Sequence, residues 1–87
     1  MRPDTQPMNV TYYVVVPFDW NEEGALAAGE AKEVPTATAA ERQAQSLSRT
    51  HAGAVAFSRT GDPSIGEFQD AIVLAQFGDV DLNAPSE

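Results

Sequence analysis

The sequence predicts an α+β domain: one helix packed on a small, mainly antiparallel sheet of three or four strands, in the chain order β-(β)-α-β-β. Three observations carry this expectation. A run rich in β-branched and aromatic residues spans 10–18, a punctuated alanine stripe follows at 38–51, and a second apolar run occupies 54–58.

The first strand is Val10-Thr-Tyr-Tyr-Val-Val-Val-Pro-Phe18. Alternation puts Val10, Tyr12, Val14, Val16 and Phe18 on one face and Thr11, Tyr13 and Val15 on the other. Both faces are largely apolar, as in a strand covered on both sides. Pro17 has no N–H to give a ladder, so the strand is expected to leave the sheet there. An acidic loop with Gly24 and Gly29 follows, and residues 30–34 read as a short edge strand.

The helix is preceded by Pro35. Thr38-Ala-Ala-Glu41 fits a capping box, in which hydroxyl and carboxylate satisfy free backbone N–H groups reciprocally. Ala40, Ala44, Leu47 and His51 form one stripe. Arg49 and His51 fall in the expected last turn, where positive charge suits the helix dipole, and Gly53 suits a left-handed residue after it. Alanines on the buried stripe let the helix lie close to a sheet carrying larger side chains. Ala54-Val-Ala-Phe-Ser58 is the next core strand.

Residues 61–78 admit two readings. As a hairpin, Gly61-Asp-Pro-Ser-Ile-Gly66 is a turn and Glu67 to Phe77 the return strand. As a helix, Asp62 caps, Pro63 starts it, and Ile65, Phe68, Ile72 and Ala75 line one side. Gly66 near its start costs about 1 kcal/mol relative to alanine. The β-branched Ile72-Val73 pair also disfavours it, so the hairpin is preferred. Residues 1–9 and the acidic stretch 79–87 show no apolar periodicity and are expected to be mobile tails around a single domain at 10–78.

Composition limits the chemistry. The 87 residues include no cysteine, one histidine (His51) and one lysine (Lys32). His, Cys and Lys are the groups that most often titrate or attack near neutral pH, so a non-enzymatic role without a cofactor is expected. The formal charge of −8, with four scattered arginines, argues against nucleic acid and against an anionic membrane surface. The longest apolar run is far short of the ~20 residues of a membrane-spanning helix, and Met1-Arg2-Pro3-Asp4 is a poor start for a signal peptide. A cytoplasmic protein is expected. A core of roughly 65–70 residues is marginal when folding buries only ~60% of the chain's surface. No disulfide can compensate, so self-association as a homodimer is expected.

Four constellations are candidates for function. Asp19-Trp-Asn21-Glu-Glu23-Gly24-Ala-Leu-Ala-Ala-Gly-Glu30 resembles a twelve-residue calcium loop of the EF-hand type, with oxygen ligands at Asp19, Asn21, Glu23 and Glu30 and a turning glycine at 24. It departs from that pattern at Glu23 and Ala27, in the strand that precedes it, and in Pro35, which cuts off an exiting helix. His51, with Ser46, Ser48, Ser58, Asp62 and Asp70 available, suggests a small hydrolase or isomerase, although no nucleophile elbow is present. Arg59, Asp62, Glu67 and Asp70 cluster around the expected turn, where Arg59 reads as a cross-strand charge partner. Tyr13, Phe18 and Trp20 are candidate anchors for a protein partner, since Trp and Tyr are enriched among interface hot spots.

The run Gly53-Ala-Val-Ala-Phe-Ser-Arg-Thr-Gly-Asp-Pro63, with Gly66-Glu-Phe68 and Phe77-Gly-Asp-Val80, is similar to small, stand-alone bacterial proteins of uncharacterised function. The resemblance covers most of the chain from Tyr12 onward and implies no activity, substrate or site residue. The leading expectation is a non-enzymatic protein-interaction module. A calcium-responsive protein is the alternative, and an enzyme centred on His51 stands behind it.

Overall fold

β1 (Val10–Trp20) and β4 (Gly53–Asp62) form the centre of the fold, paired antiparallel from Val10 opposite Gly61 to Phe18 opposite Gly53. A computed structural model describes residues 9–81. The free edge of β1 carries two short strands in succession. β3 (Lys32–Val34) lies against Tyr13 to Val15, and β2 (Leu26–Ala28) against Phe18 to Trp20. The free edge of β4 is split in the same way, with β5 (Glu67–Phe68) at Gly61 and Asp62 and β6 (Ile72–Gly78) from Gly53 to Ser58. Every pairing is antiparallel, and α1 (Ala37–Leu47) links β3 to β4 across one face.

The α+β expectation is overturned. Strand accounts for 49% of the described residues against 15% for helix, and the sheet curls strongly into a half-barrel, so the fold is sheet-dominated. Its strands run further than the sequence suggests. β1 continues through Pro17 to Trp20, and the reason lies in which edge the proline faces. A residue's N–H and C=O point to the same side of a strand. The Pro17 carbonyl accepts from Gly29 N–H at 2.7 Å on the β2/β3 side. Its missing N–H therefore falls at the gap between β2 and β3, and no bond to β4 is lost. β4 likewise runs past Ser58 to Asp62, because Gly61 leaves room for the ring and backbone of Phe68, into which any Cβ would collide. The segment 61–78 returns as strand, interrupted between β5 and β6, with one extra residue, Leu74, bulging opposite the Ala56/Phe57 step.

The helix begins two residues before the expected capping box. Thr36 is the N-cap, extended at φ −142° and ψ 163°, and its hydroxyl accepts from Ala39 N–H at 3.0 Å. Pro35 favours an extended Val34 before it, and the position three after Thr36 is Ala39, so no carboxylate reciprocates. The helix ends at Leu47, capped by Ser48, with no basic residue in its last turn. Arg49 and His51 lie beyond it, in a tight turn where the Leu47 carbonyl accepts from both Thr50 and His51 N–H. Gly53 is therefore the first residue of β4 and not a left-handed cap. It has to be glycine for another reason: the Asp79 carbonyl crosses where its Cβ would stand.

Two apolar clusters result. Under the helix, Val15, Ala40, Ala44, Ala54 and Ala56 are buried, ringed by Tyr13, Val34, Leu47, Leu74 and Phe77. On the opposite face, Phe18, Ala28 and Val55 are buried against Val16, Leu26, Phe57 and Val80. Sheet curl brings β2 and Val80 over this second cluster. Residues 79 and 80 thus belong to the fold, with Asp79 N–H donating to the Ala52 carbonyl at 2.9 Å. The rest of the expected tails, at 1–8 and 82–87, lies outside the described residues.

The cap position has a direct consequence for stability. Thr36→Ala is expected to cost about 1 kcal/mol, and Thr38→Ala, inside the first turn, less than about 0.5 kcal/mol. Urea unfolding of the two variants checks the order, and a larger loss at Thr38 would put the cap where the sequence motif suggests.

Candidate functional site

The end of β1 meets the end of the helix at a polar corner. In the β1/β4 register Phe18 faces Gly53, so Asp19 comes beside Ala52, directly after His51. Asp19 Oδ2 lies 2.5 Å from His51 Nδ1, and Oδ1 accepts from Ala52 N–H at 3.1 Å. Facing a carboxylate, the imidazole donates through Nδ1. The hydrogen bond from His51, reinforced by the Ala52 amide and the histidine's charge, holds the Asp19 carboxyl below its ordinary value against a smaller opposing effect of burial.

Chemically this is half of a base assembly, an imidazole oriented by an acid, and sequence reasoning missed it. The candidates considered for His51 were Ser46, Ser48, Ser58, Asp62 and Asp70, while Asp19 was assigned to calcium. Only the strand pairing reveals the contact. The remaining parts are not gathered here. Ser48 Oγ donates to the Gln45 carbonyl at 2.7 Å. Asp62 is buried at the β4 end, accepting from Ser64 N–H and Oγ. Asp70 is exposed beyond β5. Two concavities among the described residues lie elsewhere: an open depression along the helix at Thr36, Arg42 and Ser46, and a smaller one at Gly61, Asp62 and Phe68. Neither includes His51 or Asp19.

The calcium residues are not brought together either. Asp19 is committed to His51 and Ala52. Asn21 Oδ1 accepts from Glu23 and Ala25 N–H, both at 2.9 Å, closing a five-residue hairpin loop on itself, with Gly24 left-handed at φ 78°. Glu23 and Glu30 are exposed. Among the described residues no group of three or more His, Cys, Asp or Glu is placed to hold a metal ion.

The three aromatic anchors separate. Tyr13 packs half-buried beside the cluster under the helix, and Phe18, at 4% exposure, is core. Trp20 alone is available, 59% exposed at the end of β1. It shares the sheet face opposite the helix with Val14, Val16, Phe57 and Val73, which pairing places side by side. Beyond the curl-covered cluster this face stays open. At its far end Phe68 packs on the Tyr12 ring, with centroids 6.0 Å apart, and carries the Arg59 guanidinium 5.4 Å above it. Arg59, expected to serve as a cross-strand charge partner, thus makes a cation–π contact. Among the described residues no helix is long and apolar enough to cross a membrane.

Comparison with protein-family models, with curated proteins and with solved structures gives no match to this chain.

The corner implies a pH-dependent stability of known sign. Because the Asp19 carboxyl is more acidic folded than unfolded, its contribution is present above the ordinary carboxylate range and is lost as pH falls through the lowered value. Asp19 is largely exposed, so the expected loss in Asp19→Asn is at most about 1 kcal/mol at pH 7. Wild type and variant should converge on acidification, and urea titrations at several pH values read this directly. A gap that widened towards low pH would contradict the assignment.

Proposed function

We propose that the protein is a cytoplasmic, non-enzymatic interaction module that binds another polypeptide through the sheet face opposite the helix. The observation that carries this reading is the composition of that face. Trp20 and Phe68 stand exposed at its two ends, with half-buried Val14, Val16 and Phe57 between them and Val73 exposed beside Phe57. β2 and Val80 reach part of this band at Val16 and Phe57, and no described element covers the rest, whereas the other face has its helix. Contiguous exposed apolar surface on a small domain marks a contact site more often than accident, and large aromatic side chains supply most of the energy in such contacts. The polar corner adds support from the other direction. His51 and Asp19 tie the helix exit to β1, and the hydroxyls nearest in the chain, of Ser48 and Thr50, donate to the Gln45 and Leu47 carbonyls.

The reading is tested by photo-crosslinking in the cells that make the protein. Benzoylphenylalanine in place of Trp20 or of Phe68 is expected to yield a discrete protein adduct on irradiation. The same probe at Arg42, on the outer side of the helix, is expected to yield none. Adducts at Arg42 alone, or at none of the three positions, would overturn the assignment of this face.

A further inference from the structure

The sheet has two edges, and they are built differently. A sheet edge offers unpaired N–H and C=O groups to any passing strand, and proteins ordinarily blunt it with short strands, charges, prolines or bulges. The β2/β3 edge follows that practice: two three-residue strands, interrupted at 29–31, with Lys32 and Glu33 in the second. The β6 edge does not. It is a continuous seven-residue strand, Ile-Val-Leu-Ala-Gln-Phe-Gly, with neither charge nor proline. Its outer side pairs with no described strand. Ile72 and Val73 are 62% and 44% exposed. The bulge at Leu74 is its one irregularity.

We infer that β6 is a dimerisation edge, at which two copies of this chain pair β6 to β6, antiparallel about a two-fold axis, joining their sheets into one. This edge is separate from the open face carrying Trp20. The inference goes beyond the proposed function and does not need that face to have a particular partner.

Three observations select a second copy as the occupant. The first is charge. The chain carries thirteen acids against five bases, so most ways of bringing two copies together oppose like charges. The stretch from Ala71 to Gly78 has none, and pairing it with itself sets no charge against another within the strand. At each end of the paired strands Asp79 of one copy comes to the end of β6 where the other copy has Asp70 and, one strand further in, the exposed Arg59. These charges lie outside the paired stretch. The contact is left to backbone hydrogen bonds and apolar side chains.

The second is need. The largest fully buried side chains of the fold are two valines, Val15 and Val55, and most of the rest of the core is alanine. Domains of this size seldom have a self-sufficient core. β6 is the long strand that contributes no fully buried residue, so pairing benefits it most. The third is symmetry. A strand paired antiparallel with its own copy makes a closed, two-fold contact, the commonest arrangement of soluble oligomers, and leaves no further β6 edge to propagate.

Sedimentation velocity of the full chain, from micromolar to millimolar concentration, is the first test. A monomer–dimer equilibrium is expected, unchanged or tightened by high salt, because no net attraction between charges holds it. Amide hydrogen exchange is expected to slow with concentration in β6 and not in β3. Ile72→Glu puts an acid on the exposed edge of each copy. The substitution acts twice in the dimer and is expected to weaken association about tenfold or more. Ile72 is exposed, so the variant's circular dichroism and melting at dilute concentration should match wild type. A chain that stays monomeric to millimolar concentration overturns the inference. So does a dimer whose β6 amides exchange at the monomer rate and whose affinity survives Ile72→Glu. Adducts at Trp20 with a different protein, found with a monomeric chain, would overturn the dimer edge and leave the interaction module standing.

Discussion

The pairing of β1 with β4 is the constraint on which the rest of the molecule depends. Nine residues of each strand are in register, from Val10 opposite Gly61 to Phe18 opposite Gly53. Because side chains alternate, this register decides which residues each face receives. The helix side gets Val15 with Ala54 and Ala56, and the helix brings Ala40 and Ala44 to meet them. Small residues on both partners let helix and sheet approach closely, which fills the layer without bulky side chains. The larger residues of β4, Val55 and Phe57, are thereby sent to the other face, beside Val14 and Val16. An apolar outer face is thus a by-product of the close helix packing: a one-residue slip would exchange the two sets and leave no room for the helix.

The same register explains how residues that ordinarily break strands are tolerated. Pro17 points its missing donor at the gap between β2 and β3, and Gly29 fills the carbonyl beside it. Gly61 gives up its side chain so that Phe68 can close over it, and Phe68 in turn takes Arg59 and Tyr12. Gly53 admits the Asp79 carbonyl, which lets the chain beyond β6 bring Val80 to Phe18 and Val55. Each local concession extends the sheet, and together they produce a fold dominated by strand. Curl does part of the work that a second layer does elsewhere, covering one end of the outer face with β2 and Val80.

How much of this was legible in the sequence depended on the range of the signal. The β-branched run of β1 and the alanine stripe of α1 are local patterns, and both elements form where those patterns lie. The cap was misplaced because Thr36 and Thr38 both fit a helix start, and the extended backbone around Pro35, not the more complete motif, decides between them. The sheet was underestimated because Pro17 and Gly61 read as strand ends when each is accommodated by a neighbour distant in sequence. The Asp19–His51 corner was invisible for the same reason: the residues are 32 apart and meet only through the β1/β4 register. The calcium reading failed to find support on the opposite ground. Its spacing is a local match, but Asp19 turns to His51 and Ala52 and Asn21 closes its own hairpin, while Glu23 and Glu30 stay exposed. Of the aromatic anchors, sequence could not tell that Phe18 faces the curl-covered cluster and Trp20, two residues on, lies beyond its reach.

Charge distribution connects these features to what the molecule can do. A domain with a thin core and an open apolar face would ordinarily be prone to non-specific association. The net charge of −8 opposes that, since copies approaching in arbitrary orientations repel one another. At an ionic strength near 0.15 M the repulsion acts over about 8 Å. It therefore guards surfaces dotted with acids and fades where a surface has none. The loop at 21–25, the β2/β3 edge and the outer side of the helix all carry charged residues; β6 does not. The acidic composition is the background against which one uncharged strand and one apolar face stand out, because they are the places where close approach is not resisted.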